Sequence, residues 1–154
     1  VCGAIIPDLP HEESAALRDV FTRQGLTLVP MLAPTTGPER MKAILAGATG
    51  FVYLISVAGV TGTRDSFPPA TIAYVQQARK HAKVPLCVGF GISKPAHIHQ
   101  LREHAEGFIV GSALLRAIDE GRSIESVLQP LREAAGPLSP SRKAGDVTPH
   151  KEQP

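Results

Sequence analysis

Gly89-Phe90-Gly91-Ile92-Ser93 follows the apolar run Val84-Pro85-Leu86-Cys87-Val88, and it decides the fold when set beside Val110-Gly111-Ser112-Ala113, which follows Gly107-Phe108-Ile109. Each segment closes a short apolar strand with a glycine turn and opens a helix. Two successive strand ends that present bare backbone N–H groups, one of them at a helix start, are how an α/β protein holds a phosphate dianion. The pair therefore points to a phosphorylated small-molecule ligand.

Working outward, apolar runs at residues 4–6, 26–32, 50–56, 86–88 and 107–110 read as five strands. All are continuously apolar, the pattern of strands covered on both faces. Helical stripes alternate with them. Leu17, Val20 and Phe21 make one, with Gly25 placed to end it; Met41, Ile44 and Leu45 make a second, with Thr36 and Glu39 spaced as a capping box. Ile72, Val75 and Ala78 make a third. Ile98, Leu101 and Ala105 make a fourth, entered through Ser93 as N-cap with Pro95 in the first turn. Leu114, Leu115 and Ile118 mark a short helix over 113–119, and Ile124, Val127, Leu128 and Leu131 a longer one, strained or started late by Pro130.

Strand–helix alternation through five strands implies parallel strands joined by right-handed crossovers. Two architectures fit: an eight-stranded barrel, or an open doubly wound sheet, which five strands would complete by count. Phosphate-type turns on the last two strands, followed by a short extra helix, favour the barrel. The chain is read as about strands four to eight of a (β/α)8 TIM barrel, an α/β fold, over residues 1–136. From Gly136 onward prolines alternate with Ser, Lys, Asp and Gln, so residues 137–154 are expected to form a disordered tail. The chain opens on Val1-Cys2-Gly3-Ala4-Ile5-Ile6-Pro7, without methionine and already within a strand pattern, as expected of the later part of a longer protein.

Bulk composition sets outer bounds. A length of 154 residues with 43% apolar content suits one soluble globular domain. The net charge of +2, with no basic run interleaved with aromatics, gives no indication of nucleic acid. No apolar stretch approaches a membrane span. Cys2 and Cys87 lie in apolar runs without ligand spacing, and are expected to be buried free thiols in a reducing cytosol.

The long connection Ser56-Val57-Ala58-Gly59-Val60-Thr61-Gly62-Thr63-Arg64-Asp65-Ser66-Phe67-Pro68-Pro69 suits either a mobile lid at the C-terminal face of a barrel or an ordinary flexible loop. Here a family resemblance enters. Phe51-x-Tyr53-Leu54-x-Ser56-x-x-Gly59-Val60-Thr61-Gly62 resembles the sixth strand and loop of the tryptophan synthase alpha chain family. The two glycine turns resemble its seventh and eighth strand ends, and Pro7-Asp8-Leu9-Pro10-His11-Glu12-Glu13-Ser14 is similar to its fourth strand-to-helix turn. Order and spacing hold from Val1 to about Asp119, which corresponds to the later half of that barrel.

The resemblance implies a lyase of tryptophan biosynthesis, cytoplasmic and acting with a tryptophan synthase beta chain in an alpha2beta2 assembly. The reaction implied is aldol-type cleavage of indole-3-glycerol phosphate to indole and glyceraldehyde 3-phosphate, with no cofactor and no metal. It implies that the backbone at Gly62, Gly91, Gly111 and Ser112 binds the phosphate, that Phe90 is an apolar wall of the pocket, that Tyr53 lies near the substrate, and that Thr61 helps close the site. Alternatives stay open beside these roles: Gly89 and Gly91 as tight turns without ligand, and Tyr53 as a locally hydrogen-bonded core residue. The chemistry needs one group to protonate the indole carbon and another to take the indole N–H proton. In the family these are a glutamate and an aspartate on and after the second strand; here every Glu falls in a helix, loop or tail, so the pair is expected upstream of this chain. Val57 stands where some members carry arginine. Another phosphate-binding barrel, of the phosphosugar epimerase or thiamine-pathway type, and a non-catalytic phosphate-binding or interaction half-barrel remain the competing readings.

The remaining candidates carry blander expectations. Asp8 either contacts substrate or, as expected of Asp in such a turn, caps the next helix. His97 and His99, two apart on a helix, point to different faces and are expected in solvent. His81 and His104 sit near helix C-termini, Glu12-Glu13 fits a helix first turn, and Ser56, Ser93 and Ser112 have no His–Asp partners at supporting spacing.

Overall fold

A computed structural model of the chain describes residues 1–56, 66–89 and 91–137. Strand and helix alternate as β1 (Gly3–Ile5), a 3-10 turn (His11–Glu13), α1 (Ala15–Arg23), β2 (Thr27–Val29), β3 (Met31–Leu32), α2 (Pro38–Ala46), β4 (Val52–Ile55), α3 (Pro69–His81), β5 (Leu86–Gly89), α4 (Pro95–Leu101), β6 (Gly107–Ile109), α5 (Ser112–Asp119) and α6 (Ile124–Ala135). Every pairing is parallel, β1 with β2 and then β3-β4-β5-β6 in sequence order. A doubly wound sheet reverses its strand order at a switch point. Order that only advances is the winding of a barrel arc.

The run 26–32 was expected as one strand and is two. Proline has no N–H to donate to a ladder, and at Pro30 the chain passes from one sheet to the other. Residues before it pair with β1 and residues after it with β4, while the Pro30 carbonyl accepts from Tyr53 N at 2.9 Å.

Crossovers that always advance the same way put their helices on the same face of the sheet. Leu32, Leu54 and Val88 form one row across β3, β4 and β5, each at most 1% exposed. Met41, Ile44 and Leu45 of α2, Val75 and Ala78 of α3, and Ile98 and Leu101 of α4 complete that core. Full burial of one such aliphatic side chain contributes about 1.5–3 kcal/mol. The neighbouring row, Met31, Tyr53, Cys87 and Gly107, is half-buried, so the expected cover on both faces is found on one face only among the described residues.

Local details depart from expectation for identifiable reasons. The Thr36–Glu39 capping box does not form. Gly37 is the N-cap of α2 and Pro38 opens it, while Thr36 Oγ1 accepts from Ala33 N at 3.1 Å and Glu39 pairs with Lys42 at 2.8 Å. Lys94, not Ser93, is the N-cap of α4, with Pro95 as its first residue. On α5 the small residues Ala113 and Ala117 are buried, whereas Leu115 and Ile118 of the expected stripe are 65% and 54% exposed. Helix α6 starts well before Pro130 and runs through it; Ser123 caps it by accepting from Ser126 N at 3.2 Å. Cys2 is exposed, because it precedes β1 rather than lying within the strand, and Cys87 is half-buried; both thiols are free. Burial, with the Glu106 charge second, pushes the Cys87 thiol up to about 11.

Glu106, just before β6, holds three elements together. Its carboxylate meets Arg79 at 2.6 Å and accepts from Leu86 N at 2.8 Å, while Arg79 also donates to the Ala82 carbonyl at 2.7 Å. The end of α3 is thus fastened to the start of β5 and β6. Among the described residues, no helix is long and apolar enough to cross a membrane.

Candidate functional site

Parallel register places the two glycine turns side by side. Ile55, Gly89 and Ile109 form one row across β4, β5 and β6. Gly91 and Gly111 each follow that row by two residues, on adjacent strands and at the same rim. Gly91 has φ +79°, a left-handed conformation that glycine adopts without a Cβ clash. Gly111 is the N-cap of α5 and Ser112 its first residue, so the first-turn N–H groups and the positive end of the helix dipole stand at this rim.

The turn after β5 is held at its entrance by a serine whose role here is structural. Ser56, 1% exposed at the end of β4, donates its hydroxyl to the Gly89 carbonyl at 2.7 Å, and its N–H reaches the same oxygen at 2.9 Å. A buried serine closing an apolar strand is the signal that marks it. Tyr53 lies over Gly89 so closely that a Cβ there would overlap the phenol hydroxyl. Burial raises the Tyr53 phenol above its ordinary range, so it stays a neutral hydrogen-bonding group.

A cleft of about 370 Å³ opens at the C-terminal ends of β1 to β4, lined by Ile6, Asp8, Leu32, Arg40 and Ile55 among others. Asp8 caps neither following helix, since those N-cap positions are Pro10 and Ser14; it lines the cleft instead. At the cleft edge Arg18 lies 3.3 Å from His11 Nδ1. Burial, followed by the Arg18 charge, lowers the His11 pKa. Glu12, in the 3-10 turn, pairs with Arg40 at 2.8 Å across the same edge.

Thr61, Gly62 and Phe90, with Val57 and most of the connection after β4, lie outside the described residues. Residues 138–154 of the expected tail do so too. Of the histidine pair, His99 is exposed as expected but His97 is buried, at 5% exposure. Its ring packs on Phe67, with centroids 5.1 Å apart, because α4 turns this face toward the start of α3. None of the six strands among the described residues carries a carboxylate. Among the described residues no group of three His, Cys, Asp or Glu side chains is arranged to hold a metal ion.

Known proteins resemble this chain in sequence and in fold. The sequence model of the family described as tryptophan synthase alpha chain matches residues 1–142. The chain is 47% identical over 117 residues to the tryptophan synthase alpha chain of Carboxydothermus hydrogenoformans, covering 76% of this chain and 44% of that protein. To the alpha chain of Prochlorococcus marinus it is 48% identical over 119 residues, covering 77% and 45%. Its backbone is similar to a chain of the tryptophan synthase a2b2 complex from Pyrococcus furiosus, with a TM-score of 0.77 and 34% identity over 89% of this chain and 56% of that one. The chain thus spans less than half the length of these curated relatives.

Proposed function

As this chain belongs to the tryptophan synthase alpha chain family, we propose that it supplies the phosphate-holding side of an indole-3-glycerol phosphate lyase in tryptophan biosynthesis. The observation that carries this reading is the pair of turns at one rim, Gly91 at φ +79° beside Gly111 at the head of α5. Backbone N–H groups at Gly91, Gly111 and Ser112, joined by Gly62, hold the phosphate dianion, for which a helix N-terminus is a favourable site. Tyr53, Phe90 and Thr61 border the rest of the substrate. The half-barrel covers residues 1–136.

Retro-aldol cleavage breaks the bond between the indole C3 carbon and the hydroxyl-bearing carbon of the glycerol phosphate. C3 gains a proton and the hydroxyl loses one as it becomes the aldehyde of glyceraldehyde 3-phosphate; the indole N–H proton, taken up by a base to help the electron shift, returns to the nitrogen of the product indole. Such transfers need positioned acid and base groups. The described strands carry no carboxylate; the glutamate and aspartate that the family resemblance implies, from a segment outside these residues, complete the reaction, without metal or organic cofactor. The part played here is binding and orientation of the phosphorylated end. A tryptophan synthase beta chain is the expected partner, supported by the a2b2 assembly named for the Pyrococcus furiosus relative. The compartment is the cytoplasm.

Calorimetric titration of glycerol 3-phosphate into the 154-residue chain should show one binding site, while indole release from indole-3-glycerol phosphate should stay at background. Turnover well above background would overturn the assignment of the acid and base to another segment. Absence of binding would remove the phosphate site.

A further inference from the structure

Gly91 stands between two anchors. On the upstream side Ser56 fixes the Gly89 carbonyl, as described above. On the downstream side the Ser93 N–H donates to Nδ1 of His97 at 3.3 Å. His97 and Phe67 are each 5% exposed and their rings meet at 51°. The Phe67 N–H in turn donates to Gln100 Oε1 at 2.8 Å, one helical turn further along α4. One face of α4 therefore grips the start of α3 with its histidine ring and its glutamine, and the exit of the β5 turn with the histidine's ring nitrogen.

We propose that His97 is a positioning residue for phosphate binding. By accepting the Ser93 N–H it fixes the exit of the turn, so that Gly91 keeps its left-handed backbone and its N–H stays aimed at the rim before any anion arrives. Ordering in advance of binding lowers the entropy lost when the ligand is captured. The role rests on the phosphate reading above only for its ligand; the anchoring itself is a property of the fold. With Nδ1 accepting, the ring proton sits on Nε2, so the role belongs to one nitrogen and not to the ring as a whole.

Two variants separate the ring from the acceptor. His97→Phe keeps an aromatic ring against Phe67 and loses the acceptor. His97→Asn loses the ring but places its amide oxygen near the position of Nδ1. Amide hydrogen exchange at Ser93 and Phe67, with titration of glycerol 3-phosphate, is measured for both in the 154-residue chain. His97→Phe should speed exchange at Ser93 roughly tenfold, leave Phe67 near its original rate, and weaken the phosphate ester roughly five- to tenfold, the scale of one lost hydrogen bond. His97→Asn should keep both Ser93 protection and affinity within about twofold. Unchanged Ser93 exchange in His97→Phe would overturn the proposal, as would equal loss of affinity in both variants. If the unmodified chain binds no phosphate ester, the functional reading fails, and the anchoring role is decided by Ser93 exchange alone.

Discussion

Gly91→Asp is expected to abolish binding of glycerol 3-phosphate. Two costs add. The backbone there has φ +79°, a region that costs an ordinary L-residue about 1–2 kcal/mol. Asp tolerates it better than most residues, so the larger effect is electrostatic. A carboxylate about 4 Å from a phosphate charge at a protein surface costs roughly 4 kcal/mol per charge at an effective dielectric near 20. Affinity should fall at least a hundredfold, beyond the range of an ordinary titration. Gly91→Asn has nearly the same shape and the same tolerance of left-handed backbone without the charge, and should lose about tenfold or less. The comparison isolates charge from strain. Unchanged binding in Gly91→Asp would take the site away from this turn.

Leu54→Ala should produce the largest loss of stability. Leu54 lies in β4 between Leu32 and Val88, is 0% exposed, and belongs to the row that meets the helices. Truncating such a leucine costs about 2–5 kcal/mol, because the removed methyl groups lose their transfer energy and the surrounding atoms collapse only partly. For a chain of this size that corresponds to a fall in melting temperature of roughly 10 °C. Urea denaturation should show a lower midpoint with an unchanged slope. A loss below about 0.5 kcal/mol would mean that the packing of this row is not as described.

What could be read from the sequence was whatever rests on local chemistry. The order of strands and helices, the stripe Met41–Ile44–Leu45, and the end of α1 near Gly25 each follow from periodicity or backbone conformation within a few residues. The two glycine turns were legible for the same reason, and the register of β5 and β6 brings them together. What escaped depends on partners distant in sequence. Ser56 reaches Gly89, Arg79 reaches Glu106, and Gln100 reaches Phe67, all through contacts between elements that the one-dimensional pattern does not pair. His97 is buried rather than in solvent because the covered face of α4 takes in His97 beside Ile98 and Leu101, and the apolar stripe Ile98–Leu101–Ala105 does not show that this face extends to the histidine. The Leu114–Leu115–Ile118 stripe holds only in part, since Ala113 and Ala117 make the close approach and Leu114 packs at its edge, while Leu115 and Ile118 stand outside.

The break at Pro30 has a consequence for how the molecule loosens. Only a single stretch of backbone leads from β2 into β3, and the ladder of β1 with β2 shares no strand with the other four. Helix α1 buries none of its residues, while α2, α3 and α4 are locked into the main core. Regions with few buried contacts open at lower free energy than the molecule as a whole. The first 29 residues should therefore behave as a separate cooperative unit, exchanging their amide hydrogens through a sub-global opening that leaves β3 to β6 closed.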